Sequence, residues 1–157
     1  MPEAALALGS NLGDSAWMIR QALERLGQVE GVEVTRVSSF YRTPPWGVTD
    51  QPDFINACAL LGTRLSPESL LLAAKSIERD LGRRPGQRWG PRVIDIDLLW
   101  VGEEIRDTET LTLPHKHMTE RAFVLVPLAE IAPDVLIEGV SVLERARLCD
   151  ARLEKLA

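Results

Sequence analysis

Residues 93–101, Val-Ile-Asp-Ile-Asp-Leu-Leu-Trp-Val, constrain the fold more than any other stretch of this chain. The run is apolar apart from a pair of acids at alternate positions. Side chains of a strand alternate between faces, so Asp95 and Asp97 share one face, while Ile94, Ile96, Leu98 and Trp100 share the other. A rise of ~3.3 Å per residue sets the two carboxylates about 6.6 Å apart along the strand, close enough to lean toward one point. The apolar partners predict a central strand, where two bare acids on one face need a reason.

The other segments read as a small mixed domain. Residues 4–8 are a short apolar run stopped by Gly9, and predict a buried strand. Asp14 or Ser15 can cap a helix whose face is Ile19, Ala22, Leu23 and Leu26, with Gly27 as its stop. Residues 32–41 and 54–62 predict two further strands. Ser66-Pro67 has the form of an N-cap followed by proline at the first helical position. Leu70, Ala74, Ile77 and Leu81 give that helix its apolar face, and Gly82 ends it. Residues 103–106 suggest a short edge strand after the main one. From Thr119 the pattern turns helical, with Pro127 starting or kinking a segment, and residues 142–153 predict a last helix. Proline and glycine cluster at 44–52 and 82–91, which predicts two long loops. The order β-α-β-β-α-β with a mostly helical tail predicts an α+β, ferredoxin-like fold, its helices on one face of an antiparallel sheet.

Composition bounds the function. The chain has 157 residues, which fits one domain spanning 1–157. Its 18 Lys+Arg against 23 Asp+Glu argue against a generic binder of nucleic acid or anionic membrane. No apolar run reaches the roughly 18 residues of a membrane span, and no secretory signal is visible. Two cysteines, Cys58 and Cys149, make no disulfide framework, so a reducing cytoplasm is expected.

Two ionised carboxylates on a half-buried face repel each other and lose hydration. A cation between them removes both costs. Hard oxygen donors with no soft ligand nearby suit Mg²⁺, which completes its shell with substrate phosphates. Two such ions ~3.5–4 Å apart would clamp both oxygens of an in-line displacement. Just upstream, residues 83–92 hold Arg83, Arg84, Arg88 and Arg92, a basic cluster in an acidic protein. The planar fork of Arg suits phosphate oxygens, and the glycines and prolines suit a lid. Residues 9–14, Gly-Ser-Asn-Leu-Gly-Asp, lack the Lys-Ser/Thr ending of a phosphate loop and read as a mainly structural turn and helix cap, whose glycines let backbone approach the neighbouring site. Asn56 offers a donor and an acceptor side by side on the same strand face as Phe54, a pairing that would read a flat heteroaromatic. The His115-Lys116-His117 pair lacks further zinc ligands in sequence, so a single histidine contacting a phosphate or ribose is the better reading.

Taken together these residues resemble the 6-hydroxymethyl-7,8-dihydropterin pyrophosphokinase family of folate biosynthesis. The matching blocks are residues 9–14, 38–45, 51–57, 78–83, 88–99, 114–115 and 121–133. The resemblance implies transfer of the β,γ-diphosphate of ATP to the pterin hydroxymethyl group, with release of AMP. It implies that Asp95 and Asp97 bind two Mg²⁺, and that Arg92 and Arg83, with Arg84 the alternative to Arg83, act in catalysis beside them. Thr43, Pro44, Trp46, Phe54, Asn56 and Phe123 would bind the pterin, with Phe54 and Phe123 stacking on its ring. Glu78, Arg88, Trp89, Thr112, His115 and Arg121 would bind ATP. The expected partners are these small molecules alone, with no nucleic acid and no membrane, and the chain is expected to be a cytoplasmic monomer. Phe54 stands where a member of the family has tyrosine, and Lys116 replaces an aromatic residue beside His115. The rival readings are a ferredoxin-like binding module and an RNA-binding domain, and the acidic charge and missing aromatic strand motif disfavour the latter.

Overall fold

The computed structural model describes residues 2–11, 14–44, 52–82, 93–149 and 153–156. The first strand, β1, spans Glu3–Ser10, and helix α1 spans Ser15–Gly27. The side chain of Asp14 caps α1 by accepting from the Trp17 amide. Strands β2 (Val32–Val37), β3 (Tyr41–Thr43) and β4 (Phe54–Thr63) follow, then α2 (Pro67–Asp80) and β5 (Asp95–Val101). Ser66 caps α2 through the Ser69 amide, Pro67 opens it, and Gly82 turns away at φ +105°.

Among the described residues six strands form one antiparallel sheet. Its order is β10-β3-β4-β1-β5, with β2 beside β3 along the same edge of β4, where β10 is Glu154–Lys155. The first strand thus lies between β4 and β5. The apolar stripes of α1 (Ile19, Ala22, Leu26) and α2 (Leu70, Ala74, Ile77) pack on one face, against Leu6, Leu8, Ala57, Leu61, Ile94, Ile96 and Leu98. The opposite face is also covered. Ala5, Cys58, Leu60 and Trp100 pack there against Met118, then against Val124, Leu128 and Ile131 of α3 (Ala122–Ile131) and Val142 of α4 (Val142–Leu148). The helical tail is therefore the second outer layer.

Several sequence expectations change. β1 does not stop at Gly9: Gly9 and Ser10 pair with Asn56 and Ile55 of β4. The expected strand over 32–41 is two strands, β2 and β3, separated by residues 38–40. Trp100 does not share a face with Leu98. A bulge shifts the β1–β5 register between Ala5 and Leu6, so Trp100 pairs with Ala5 and joins the α3 side. β5 is not central either. It lies at the end of the sheet, and it is apolar because both faces are covered and its outer edge is occupied by Glu78 and by the segment carrying His115. The short strand expected at 103–106 is instead β6 (Arg106–Asp107), which pairs with β7 (Thr112–Leu113) in a separate ribbon. Of the two positions expected for Pro127, the start or the interior of a helical segment, the structure has the interior, inside α3. The last helix ends at Leu148, and β10 follows in place of more helix. A second ribbon joins β8 (Leu136–Ile137) to β9 (Val140–Ser141).

Candidate active site

The site is built on the α3 side of the sheet. Antiparallel partners share a face, so register places side chains across strands. Asn56 on β4 is opposite Gly9 on β1, and Gly9 is opposite Asp95 on β5. In the next row Cys58 is opposite Ala7, and Ala7 is opposite Asp97. Phe54 and Thr43 form a pair beside Asn56. The two acids and the carboxamide thus occupy one floor, separated by the width of β1.

Asp95 and Asp97 are both half-buried. Burial, reinforced by the charge of Asp95, pushes the Asp97 carboxyl well above the usual carboxylate range. Lys75 and Arg121 pull against that shift, and Glu78 adds to it. The Asp97 carboxyl therefore gives up its proton less readily than an ordinary carboxylate. Among the described residues no group of three or more His, Cys, Asp or Glu side chains is gathered to hold a metal ion. A pair of carboxylates is a Mg²⁺ donor set that leaves most of the shell to water and phosphate, and it fits that ion better than zinc.

Asn56 is 7% exposed, and its Nδ2 donates to the Thr43 hydroxyl at 2.8 Å. Thr43 is buried at the end of β3, so the carboxamide is held by a neighbour that is itself fixed. Glu78 is engaged within the protein. It is 1% exposed, its Oε2 accepts from the Ile96 amide at 2.7 Å, and its Oε1 pairs with Lys75 at 3.2 Å. Ile96 lies between the two aspartates, so Glu78 holds the edge of the strand that carries them. Glu78 also retains interactions beyond these.

His115 follows a cis Leu113-Pro114 bond, and its own amide donates to the Leu99 carbonyl at 2.8 Å. Its Nδ1 accepts from the His117 amide at 3.1 Å, which leaves the ring proton on Nε2. Burial, then the nearby Arg121 charge, pushes the ring down to about 4, so it is neutral at physiological pH. Arg121 lies 5.7 Å over the Phe123 ring at the start of α3. Phe123 is half-buried against the α3-side core, and Thr112 lies on β7. Pro44 is exposed just after β3. Trp46, Arg83, Arg84, Arg88, Trp89 and Arg92 lie outside the described residues.

The family model for 7,8-dihydro-6-hydroxymethylpterin-pyrophosphokinase (HPPK) matches residues 5–133. The chain belongs to this family. A 2-amino-4-hydroxy-6-hydroxymethyldihydropteridine pyrophosphokinase from Methylorubrum extorquens is 51% identical over 158 residues, covering 99% of each chain. The pyrophosphokinase of the same name from Bacillus subtilis is 47% identical over 138 residues, 88% of this chain and 83% of that one. The fold is similar to a crystal structure of HPPK-DHPS in complex with substrates, at a TM-score of 0.71 and 13% identity. It is similar as well to Plasmodium falciparum HPPK-DHPS with pteroate, at 0.72 and 15%. This chain spans 43% and 42% of those two larger chains.

Every candidate residue of this HPPK-family chain falls inside the matched span, and β8, β9, α4 and β10 fall outside it. Ser10 and Asn11 add to the site two anchors that the expected turn and helix cap did not include. The Gly9-Ser10-Asn11 segment is more than a turn. The fully buried Ser10 hydroxyl donates to the Val93 carbonyl at 2.5 Å, and Asn11 Nδ2 donates to the Pro52 carbonyl at 3.0 Å. These bonds tie the end of β1 to the last residue of the first long loop and to the chain just past the second. The signal was two small polar residues directly after a buried apolar strand.

Proposed function

We propose that this chain transfers the β,γ-diphosphate of ATP to the hydroxymethyl group of 6-hydroxymethyl-7,8-dihydropterin, releasing AMP, in folate biosynthesis. Family membership supports the reaction, and one observation carries its placement: Asn56 and Asp95 flank Gly9 on one floor. A carboxamide suited to a pterin edge therefore lies one strand away from an acid pair suited to cationic phosphate chemistry. The substrate hydroxyl oxygen bonds to the β-phosphorus of ATP. The bond from that phosphorus to the α,β-bridging oxygen breaks, AMP leaves with the oxygen, and the hydroxyl proton passes to solvent. No side chain needs to form a covalent intermediate, so positioning and charge stabilisation supply the catalysis.

Asp95 and Asp97 would hold two Mg²⁺, because a divalent cation would offset the burial and the repulsion that oppose ionisation of Asp97. The bound metal supplies charge neutralisation along the triphosphate. Asn56, held by Thr43, presents hydrogen-bonding groups to the pterin, and Phe54 and Phe123 offer ring faces. Neutral His115 donates from Nε2 to an ATP oxygen, and Arg121 adds a positive charge beside it. Glu78 sets the β5 backbone, Thr112 contacts the nucleotide and Pro44 borders the pterin; the roles of Trp46 toward the pterin, of Arg88 and Trp89 toward ATP and of Arg83 and Arg92 in catalysis rest on the family resemblance alone. The strand order, with α1 and α2 on one face, supports a ferredoxin-like arrangement in which β2 and β3 count as one interrupted strand. We further infer a single-domain cytoplasmic monomer, in keeping with its acidic charge and two free cysteines.

The test is an assay for AMP with ATP, Mg²⁺ and the reduced hydroxymethylpterin, with and without EDTA. AMP formed only when pterin and metal are both present is the expected result. ADP in place of AMP would point to an ordinary kinase. Metal-independent AMP would remove the role given to the acid pair.

A further inference from the structure

Glycine is a poor choice for the interior of a sheet, because it packs no side chain and loses more backbone freedom than any other residue. Gly9 is nevertheless buried in β1, paired on both sides. Backbone conformation does not require it. Among the described residues the glycines of positive φ are Gly31, Gly82, Gly102 and Gly139, and Gly9 is not one of them. Space does require it. A Cβ built on Gly9 would stand 2.7 Å from Asn56 Oδ1, well inside contact distance. The next nearest atoms, Asn56 Cγ and the Ile55 carbonyl oxygen, are at an ordinary 3.8 Å. The missing Cβ therefore serves one atom, the carboxamide oxygen of Asn56. Thr43 holds the other end of that group, through Nδ2 at 2.8 Å. A side chain at position 9 would force the carboxamide to turn, and turning breaks the bond to Thr43.

We propose that Gly9 is a positioning residue for substrate recognition: its bare Cα is the seat that lets Asn56, locked by Thr43, present its carboxamide to the pterin. The inference rests on the reading of Asn56 as a pterin contact. It adds that this orientation is set from the neighbouring strand, at the position that separates Asn56 from Asp95. The obstructed atom is the far end of a side chain, so alanine at position 9 leaves the sheet able to form and misplaces only the carboxamide.

A double-mutant cycle tests this with the full chain: wild type, Gly9→Ala, Asn56→Ala and the double variant. Hydroxymethyldihydropterin binding is measured by calorimetry with Mg²⁺ and a non-hydrolysable ATP analogue, and melting temperature is recorded for all four. Gly9→Ala should weaken pterin binding roughly tenfold, the value of a hydrogen-bonding group lost from a buried site, with nucleotide binding unchanged. Once Asn56 is alanine the obstructed oxygen is gone, so Gly9→Ala should cost nothing further. Equal losses from Gly9→Ala in both backgrounds, or wild-type pterin affinity in the single variant, would overturn the proposal. Should Gly9→Ala fail to fold, the double variant must recover the fold, and failure there too would overturn it. Wild-type affinity in Asn56→Ala would instead sink the pterin reading. The melting temperatures then decide the Gly9–Asn56 contact alone, with additivity counting against it.

Discussion

Asp97 has chemistry that opposes stability. Burial and the neighbouring Asp95 charge raise its carboxyl, so the folded chain binds that proton more tightly than the unfolded chain does. The sign follows from linkage. Below the ordinary carboxylate pKa both states are protonated and nothing is lost. As pH rises through the raised folded value the penalty grows, and above it the penalty is complete. Asp97→Asn removes the charge and keeps the shape. In metal-free protein at pH 8 the variant should melt a few degrees higher than wild type, given about 2–4 °C for each kcal/mol in a chain of this size. The gap should close near pH 4, and Mg²⁺ should raise the melting temperature of wild type more than that of the variant. Thermal melts at the two pH values, with and without metal, check all three points. A variant less stable than wild type at pH 8 would mean that the acid pair is compensated within the protein.

At the scale of elements, one side chain joins α3 to the strand that leads into the first long loop. Glu130 accepts from the Ser39 amide at 3.0 Å, the Ser39 hydroxyl at 2.9 Å and the Tyr41 hydroxyl at 2.7 Å. Burial pushes its carboxyl up, but these bonds outweigh it and hold the group below its ordinary value. The same contact, after burial, raises the Tyr41 phenol. Glu130→Ala leaves those donors without their acceptor, at a cost of about 2–3 kcal/mol in urea denaturation at pH 7. Because the carboxyl is depressed, its contribution is present above the unfolded pKa and fades as pH falls through the folded one. The difference between Glu130→Ala and wild type should therefore shrink on acidification. A constant difference down to low pH would assign the loss to packing rather than charge. Most elements were legible because local signals agreed, as in α2, where Ser66, Pro67 and Gly82 marked both ends. The Trp100 face was not legible. A bulge arises from pairing with β1, and nothing in the alternation of β5 announces it.

At the scale of the molecule, the chain closes its own sheet. β10 pairs Glu154 and Lys155 with Arg42 and Tyr41, the Leu156 amide donates to the Phe40 carbonyl at 2.8 Å, and Leu156 packs on the main core. Without it β3 presents an open edge, which invites pairing with another chain. Removal of residues 150–157 should lower stability by about 1–3 kcal/mol and promote self-association, read by thermal melting and light scattering. An unchanged melt with a monodisperse product would show that the edge needs no cover. This strand was invisible in the sequence, because Glu154-Lys155 carries no strand pattern of its own and pairs only where β3 leaves an edge free.

What the sequence determined by itself was whatever depends on residues close together in the chain. The alternation of Asp95 and Asp97 with apolar neighbours, the ends of α2, and the carboxamide at Asn56 beside Phe54 are local patterns, set by torsion preferences and periodicity. Tertiary structure decided which of these patterns meet. Register across β1 put Asn56, Gly9 and Asp95 in one row, and the same pairing turned Gly9 from an apparent stop into the seat of a side chain. It turned Glu78 toward the Ile96 amide and spread the helical tail over the second face. Register shifts of one residue reverse every face of a strand. They are decided by the fit of two whole surfaces, which no single segment of the chain contains.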